Sequence, residues 1–404
     1  MKRREALGLL GALGASVLFP RRARAARAYD VVVIGAGVFG TWTAWYLQRA
    51  GKRVALIDAV GPAHSGASSG GESRVTRCAY GGSDLYTDWA CRSIAEWQDL
   101  SQRASLPLFH QSGVLWLHRE GEPVVDSMAK TLGKFDLPFQ RLSATQLRSR
   151  FPVLSLAGDE AGFFEPRGGA LMARRAVQVL AAETQSAGTV VRQGRALPIS
   201  SASGVGGGLP HVELAGGERL SADQFVFACG PWLDRVCPEA MGGRLFVTRQ
   251  EVLYFASSRE LTGTLPVWAD LPFYGIPNVE GRGFKVADDT HGDRVDPDTL
   301  ERRVRDETVD RARAFLARRF PRLADRPLNE SRVCQYENSS SGDLVIDRHP
   351  GLDNVWLVGC GSGHGFKHGP AVGAHLSSLV EGKESPIELF SLASKRTEQR
   401  RAVQ

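Results

Sequence analysis

The first clear pattern in the chain is an apolar run from Tyr29 to Ile34, Tyr-Asp-Val-Val-Val-Ile, β-branched and uncharged after Asp30. A run of this kind suits a strand buried on both faces of a parallel sheet. The character then changes: residues 41–50 have helical composition without Pro or Gly, and Gly51 stops them. Residues 52–57 predict a second strand, ending at Asp58. Between the first strand and the helix stand Gly35-Ala36-Gly37-Val38-Phe39-Gly40. Gly35 permits a tight turn, Gly37 lets backbone approach a pyrophosphate, and Gly40 lets helix pack on strand. The helix N-terminus offers free N–H groups to phosphates, and Val38, within the glycine turn, joins the cofactor-binding set. Asp58, eighteen residues after Gly40, can accept from a ribose 2′-hydroxyl. Strand, glycines, helix, strand and acid in this order predict a dinucleotide-binding βαβ unit. The motif alone does not choose FAD over NAD.

Downstream, residues 61–80 form a Gly/Ser-rich loop placed to pass over the cofactor, with Ser69, Arg74 and Arg77 on it. The two arginines, three apart, would face one cleft if a helical turn formed there. An amphipathic helix is predicted over 84–104, with Leu85, Trp89, Ile94 and Trp97 inward. A strand follows over 109–118, then helical pieces over 129–140 and 143–150, with Ser143 as N-cap. Residues 162–167 are extended, 170–187 helical, and 189–192 a strand. A second apolar strand, 221–226, leads to a turn at Gly230. Alternating strands between 244 and 286 predict a mostly antiparallel second sheet, and 300–320 a charged helix. Strands 344–347 and 354–358 lead to the glycine-rich loop that holds Gly361, Gly363 and Gly365, then to a helix over 371–380. The tail from 393 is basic and expected to be disordered.

Charge adds one correction to first appearances. The formal net charge is +6, but seven of the 50 basic residues and one of the 44 acidic ones precede Tyr29. The remainder is balanced, so there is no electrostatic case for a nucleic-acid partner. Residues 1–28 look like a signal peptide: Arg3-Arg4 precede an apolar stretch over 6–19, too short for a stable membrane span, then two small-residue cleavage sites. The paired arginines resemble a twin-arginine leader. This predicts the twin-arginine export machinery as a partner and a periplasmic or secreted product, cytoplasmic if the leader does not function. The six cysteines form no CxxC pair, so no metal site is expected.

Residues 29–392 as a whole resemble the monomeric sarcosine oxidase family of FAD-dependent amine oxidases, within the D-amino-acid-oxidase superfamily. The resemblance is carried by the glycine motif, Ser73-Arg74-Val75-Thr76-Arg77, Gly283-Phe284-Lys285, Val333-Cys334-Gln335-Tyr336 and Ser362-Gly363-His364-Gly365-Phe366-Lys367. It implies FAD as cofactor and an α/β fold. A Rossmann-like FAD-binding domain of glutathione-reductase type would come from 29–105, 166–240 and 329–392. An α+β substrate domain on a mostly antiparallel sheet would come from 106–165 and 241–328. It further implies that Cys334 links to the flavin 8α-methyl, the alternative being a free buried thiol. Lys285 would contact flavin N5 through water and speed reaction with oxygen. Arg77 and Lys367 would grip a substrate carboxylate, Arg74 would lie beside the ring, and Tyr336 and Tyr274 near the substrate. Val191 and Gly230 join the cofactor-binding set.

Two positions depart from the family. Asp289 replaces a pocket histidine four residues after the lysine, and Ser69-Gly70 replace paired histidines. The expected reaction is oxidation of an amino acid or N-methyl amino acid by hydride transfer to flavin N5, giving an imine and, with molecular oxygen, hydrogen peroxide. Three alternatives remain at this point. They are an exported dehydrogenase feeding a quinone or carrier, a non-redox flavin scaffold, and an NAD-linked dehydrogenase.

Overall fold

Strand Tyr29–Ile34 lies inside a six-stranded sheet, between Ala222–Phe227 and Val54–Asp58, and pairs with both in parallel. Val190–Gln193 extends the sheet beyond Val54–Asp58, while Val355–Gly359 and the antiparallel edge strand Val345–Arg348 extend it the other way. The computed structural model describes residues 28–397. The expected leader (all but Ala28) and the tail beyond Thr397 lie outside the described residues. Among the described residues no helix is long and apolar enough to cross a membrane.

Alternate residues of the central strands feed opposite faces, as period-two geometry requires. Val31, Val33 and Leu56 join Trp42, Trp97 and Leu376 in a core under helices Val38–Arg49, Asp84–Ala104 and Gly369–Val380. Val32, Ile34 and Ile57 join Leu214, Phe225 and Leu357 on the other face. Burial on both faces explains the near-continuous apolar run that marks Tyr29–Ile34 in the sequence.

The second sheet has eight strands in the order Leu328–Asn338, Phe246–Phe255, Phe284–Asp288, Phe273–Ile276, Val267–Asp270, Val114–Arg119, Glu160–Glu165 and Gln140–Leu142. All neighbours are antiparallel except Val267–Asp270 with Val114–Arg119. Helix Asp306–Arg319 covers one face through Phe315 and Leu316, packed on Trp268 and Phe284.

Several elements differ from expectation for definable reasons. The helix expected over 300–320 begins at Asp306, where Asp306 and Glu307 supply acid to the first turn. The helix expected over 129–140 is Pro123–Lys134, started by Pro at its first turn. The strand expected over 109–118 divides at Gly113, φ +77°. Phe109–His110 joins a small sheet with Gly169–Leu171 and Arg74–Thr76, and Val114–Arg119 joins the large one. The helix expected from 170 therefore starts at Ala173, because the preceding residues take sheet hydrogen bonds. Strand Leu328–Asn338 belongs to the eight-stranded sheet throughout, so the nucleotide-side sheet resumes only at Val345 and not at 329. The start of the tail is ordered: Leu392–Ser394 forms a 3-10 turn, and the buried Lys395 donates to the Leu389 carbonyl at 2.5 Å.

Candidate active site

A long cleft of about 300 Å³ runs across the carboxyl ends of the parallel strands, where open α/β sheets bind ligands. Gly35, Gly37, Val38 and Asp58 line one end, and Gly361, Gly363 and Gly365 the other. Gly230 and Ser69 line its sides. Gly35 turns the chain at φ +102°. Helix Val38–Arg49 starts at Gly37 with no side-chain cap and no acid in its first turn. Its N-terminal N–H groups thus face the cleft with little competition, save that Val38 N–H donates to Ser69 Oγ at 3.0 Å. Asp58 accepts from the N–H groups of Ala36 (2.8 Å), Val60 (2.9 Å) and Gly61 (2.8 Å). Three of roughly four acceptor sites on the carboxylate are used, which leaves one for a ribose hydroxyl.

Gly40 does not line the cleft. It serves packing: a Cβ there would lie 1.9 Å from the Gly35 carbonyl oxygen. We expect Gly40→Ala to push helix from strand at a cost of about 1–3 kcal/mol. The variant should purify with far less bound FAD per mole of protein, read from visible absorbance; full flavin content would contradict this role.

Val191 is not in the cleft either. It faces the core beneath the helices, and the chain lines the cleft only after the strand ends, over 194–198. Glu337, not singled out in the sequence, joins two cleft loops: Ser68 Oγ donates to it at 2.6 Å and Gly361 N–H at 3.4 Å. Burial pushes its carboxyl above the ordinary value. Cys334 sits at the cleft edge, its Sγ 3.4 Å from Arg74 Nη2, while its neighbours Gln335 and Tyr336 line the cleft itself.

A second, smaller chamber of about 80 Å³ adjoins the cleft, and Arg74, Tyr336, Gly363 and Phe366 line both. Gly363 takes φ +81°, and a Cβ there would meet the Tyr336 ring at 2.6 Å. Glycine is what lets the loop close over that ring. Arg77, Lys367, Tyr274, Asp289 and Trp116 are among the other residues that line the chamber. No helical turn carries the two arginines. Arg74 lies in strand Arg74–Thr76 and Arg77 directly follows it, yet both reach this space.

Arg77 and Lys367 are buried to 8% and 5% exposure. The Arg77 guanidinium lies 4.1 Å over the Tyr80 ring and 4.8 Å from that of Trp116, and donates to the Ala79 carbonyl. Lys367 Nζ donates to Tyr80 Oη and to the His364 carbonyl, each at 2.9 Å. Tyr80 is thus shared by both cations. The buried Glu165 holds this segment from within, accepting from Cys78 N–H (2.7 Å), Ala79 N–H (3.0 Å) and Trp116 Nε1 (3.0 Å). Burial, with Lys367 next in effect, pushes His368 well below its ordinary value, so its ring is neutral. Its Nε2 lies 2.7 Å from Tyr80 Oη. Tyr80 had a signal in the sequence, three residues after Arg77; Trp116 and Glu165 had none.

Tyr336 Oη donates to Asp289 at 2.9 Å, and burial pushes the Tyr274 hydroxyl up to about 12. Lys285 is deeply buried. It lies 1% exposed on strand Phe284–Asp288, its Nζ donating to the Ser73 carbonyl at 2.9 Å, and it lines neither space. Arg74, which lines both, is its charged neighbour.

The cleft fits FAD. It combines an uncapped helix N-terminus for phosphates, an acid beside the ribose position, and a glycine loop closed over an aromatic side chain next to a cationic chamber. The chain matches the family model for FAD dependent oxidoreductase over residues 30–379. It is 30% identical to monomeric sarcosine oxidase from Streptomyces avermitilis over 381 residues, covering 90% of this chain and 96% of that one. It is 27% identical to N-methyl-L-tryptophan oxidase from Yersinia pestis, over 90% and 99% of the two chains. In fold it is similar to L-proline dehydrogenase from P. horikoshii, at a TM-score of 0.80 and 19% identity, covering 91% of this chain and 97% of that one. The match over most of its length, and a cleft and chamber that fit it, show that this chain belongs to the FAD dependent oxidoreductase family and is an FAD enzyme acting on CH–NH donors.

Proposed function

We propose that the enzyme oxidises the C–N bond of a small amino acid or N-methyl amino acid held by its carboxylate in the chamber of Arg77 and Lys367. One observation carries this reading: two buried cations line a single small space that opens onto the FAD cleft. FAD, held along the cleft by the Gly35–Val38 turn, Asp58 and the loop of Gly361, Gly363 and Gly365, would supply the redox chemistry: acceptance of a hydride from the carbon beside nitrogen and reoxidation by oxygen to hydrogen peroxide. The imine product hydrolyses in water. Arg77 presents a planar fork and Lys367 a point charge, a combination that fixes a carboxylate in orientation as well as position. Tyr80 and Glu165 keep both groups in place before substrate arrives, so less ordering is needed on binding. Neutral His368, behind Tyr80, adds no positive charge to that of Arg74, Arg77 and Lys367, which line the chamber.

The test is a panel of primary and secondary amino acids with purified holoenzyme, scored for oxygen uptake and peroxide. Peroxide formed in step with substrate loss supports the reading. Flavin reduction without peroxide would assign the same site to a dehydrogenase. No reduction by any amino acid would overturn the proposal. Export by the twin-arginine route completes it, and is tested by fractionating cells that express the full chain with Arg3 and Arg4 intact or changed to Lys; unchanged distribution would remove that part.

Asp289 sets a limit on the substrate side chain. Its carboxylate shares the chamber with the two cations and is fixed by Tyr336. A second carboxylate on the substrate would meet like charge there, at a cost of about 1–3 kcal/mol. Acidic amino acids should therefore be poor substrates. Asp289→Asn keeps an acceptor for Tyr336 and removes the charge. It should improve kcat/KM for an acidic substrate relative to a neutral one by about tenfold or more. An unchanged ratio would show that Asp289 does not face the side chain.

A further inference from the structure

Two cysteines outside the cleft lie closer than unbonded sulfurs ordinarily pack. Cys78 Sγ and Cys91 Sγ are 3.2 Å apart, both as free thiols. Cys78 is 2% exposed and follows Arg77 directly, while Cys91 is half-buried on helix Asp84–Ala104. A disulfide is about 2.05 Å long. Closure therefore needs roughly 1 Å of approach between sulfurs already facing each other.

The surroundings give this contact a consequence. Residues 77–80 carry Arg77 and Tyr80, and their backbone is held from within by Glu165. Helix Asp84–Ala104 touches the other half of the chamber: Trp97 Nε1 donates to the Lys367 carbonyl at 2.9 Å, and Ser93 Oγ accepts from Ala371 N–H at 3.3 Å. A bond from Cys78 to this helix would join the Arg77 segment to the element that buttresses Lys367.

We propose that Cys78 and Cys91 are a modification site that closes to a disulfide under a two-electron thiol oxidant such as hydrogen peroxide, and that the bond fixes residues 77–80 to the helix. Cys91 is the attacking sulfur, being the more accessible. The neighbouring Cys78 thiol, and after it Arg167, favour its thiolate; contact with Cys91 and burial keep Cys78 protonated. The Cys91 thiolate attacks peroxide. The O–O bond breaks, an S–O bond forms, and hydroxide leaves and takes a proton to become water. The Cys78 sulfur then displaces the sulfenic oxygen as a second water, and the S–S bond forms. Two thiols lose two electrons and peroxide gains them.

The site offers a direct readout. Trypsin cuts after Arg77 and Arg92, so one peptide, residues 78–92, carries both cysteines. Holoenzyme is treated with a small excess of hydrogen peroxide or with reductant, denatured with alkylating agent, digested and weighed. The expected peroxide-treated peptide is two hydrogens lighter and unalkylated, and the reduced one carries two alkyl groups. Amide hydrogen exchange over 77–80 should be slower in the oxidised holoenzyme than in the reduced, and Cys91→Ala should abolish that difference. A doubly alkylated peptide after peroxide, or one with oxygens added at Cys91, would overturn the bond; equal exchange in the two forms would overturn its proposed effect. The mass readout uses the unaltered chain, so it stands even where the variant fails to fold.

Discussion

Arg77→Met will lower kcat/KM for a carboxylate-bearing amine by roughly a hundred- to a thousandfold. A charge-assisted hydrogen bond contributes about 1.5–3 kcal/mol, and a buried two-pronged contact more than one such bond. Each 1.4 kcal/mol is a factor of ten. Most of the loss should fall on KM, because the substrate carboxylate is equally charged before and during reaction. Part should fall on kcat, because a loosely held carboxylate lets the reacting carbon wander. Lys367→Met should behave alike, and the double variant should lose less than the product of the two, since both cations grip one group. Arg77→Lys separates charge from shape: it keeps the cation but not the fork, and should recover only part of the loss. Arg77 also packs on Tyr80 and Trp116, so melting temperature is to be read alongside. Unchanged KM in a folded Arg77→Met enzyme would place the carboxylate elsewhere.

The second large effect is expected at Lys285. Burial, and then the neighbouring Arg74, push its ammonium down to about 7, from an ordinary value near 10.5. Burying a cation without a partner carboxylate is costly. The structure keeps one here, beside an arginine that lines both spaces, which is the pattern of a functional group rather than a stabilising one. Lys285→Met should leave substrate-driven reduction within about tenfold while oxygen uptake falls roughly a hundredfold, the scale of a lost preorganised charge. Equal loss in both half-reactions would assign Lys285 a structural role.

The sign of the pH effect on stability can be worked out. The folded state disfavours the charged lysine, so the penalty is fully present below about pH 7. Between about 7 and 10.5 the unfolded chain binds the proton that the folded one has released. Stability from this group therefore rises with pH across that window. Lys285→Met removes the penalty and should flatten the rise in melting temperature over the same range.

What the sequence made legible follows from how local each feature is. The unit from Tyr29 to Asp58 was readable because every part of it, strand, turn, helix and acid, is a near neighbour in the chain. The chamber was not readable from spacing. It is assembled from the segment at Arg77, from Trp116 on the second sheet, from Asp289 just past its strand Phe284–Asp288, and from the loop at Lys367. Arg74, Arg77, Tyr274, Tyr336 and Lys367 were named through the family resemblance, and the structure brings them together with Trp116, which was not. Arg74–Thr76 is a strand only because Gly169–Leu171 pairs with it, a long-range contact that overrides the local glycine-rich composition. For the same reason the start of the helix at Ala173 was misplaced. Lys285 was named by resemblance, and its burial and its bond to the Ser73 carbonyl are long-range features that spacing does not reveal.

The most direct test of the two-cation chamber compares matched pairs of amines with and without a carboxylate, such as sarcosine against dimethylamine. Holoenzyme is titrated anaerobically with each, and loss of the visible flavin absorbance is followed. The account predicts that amino acids within the pairs bleach the enzyme while their decarboxylated partners do so at least about a hundredfold less efficiently. Equal bleaching by amines that carry no carboxylate would contradict it.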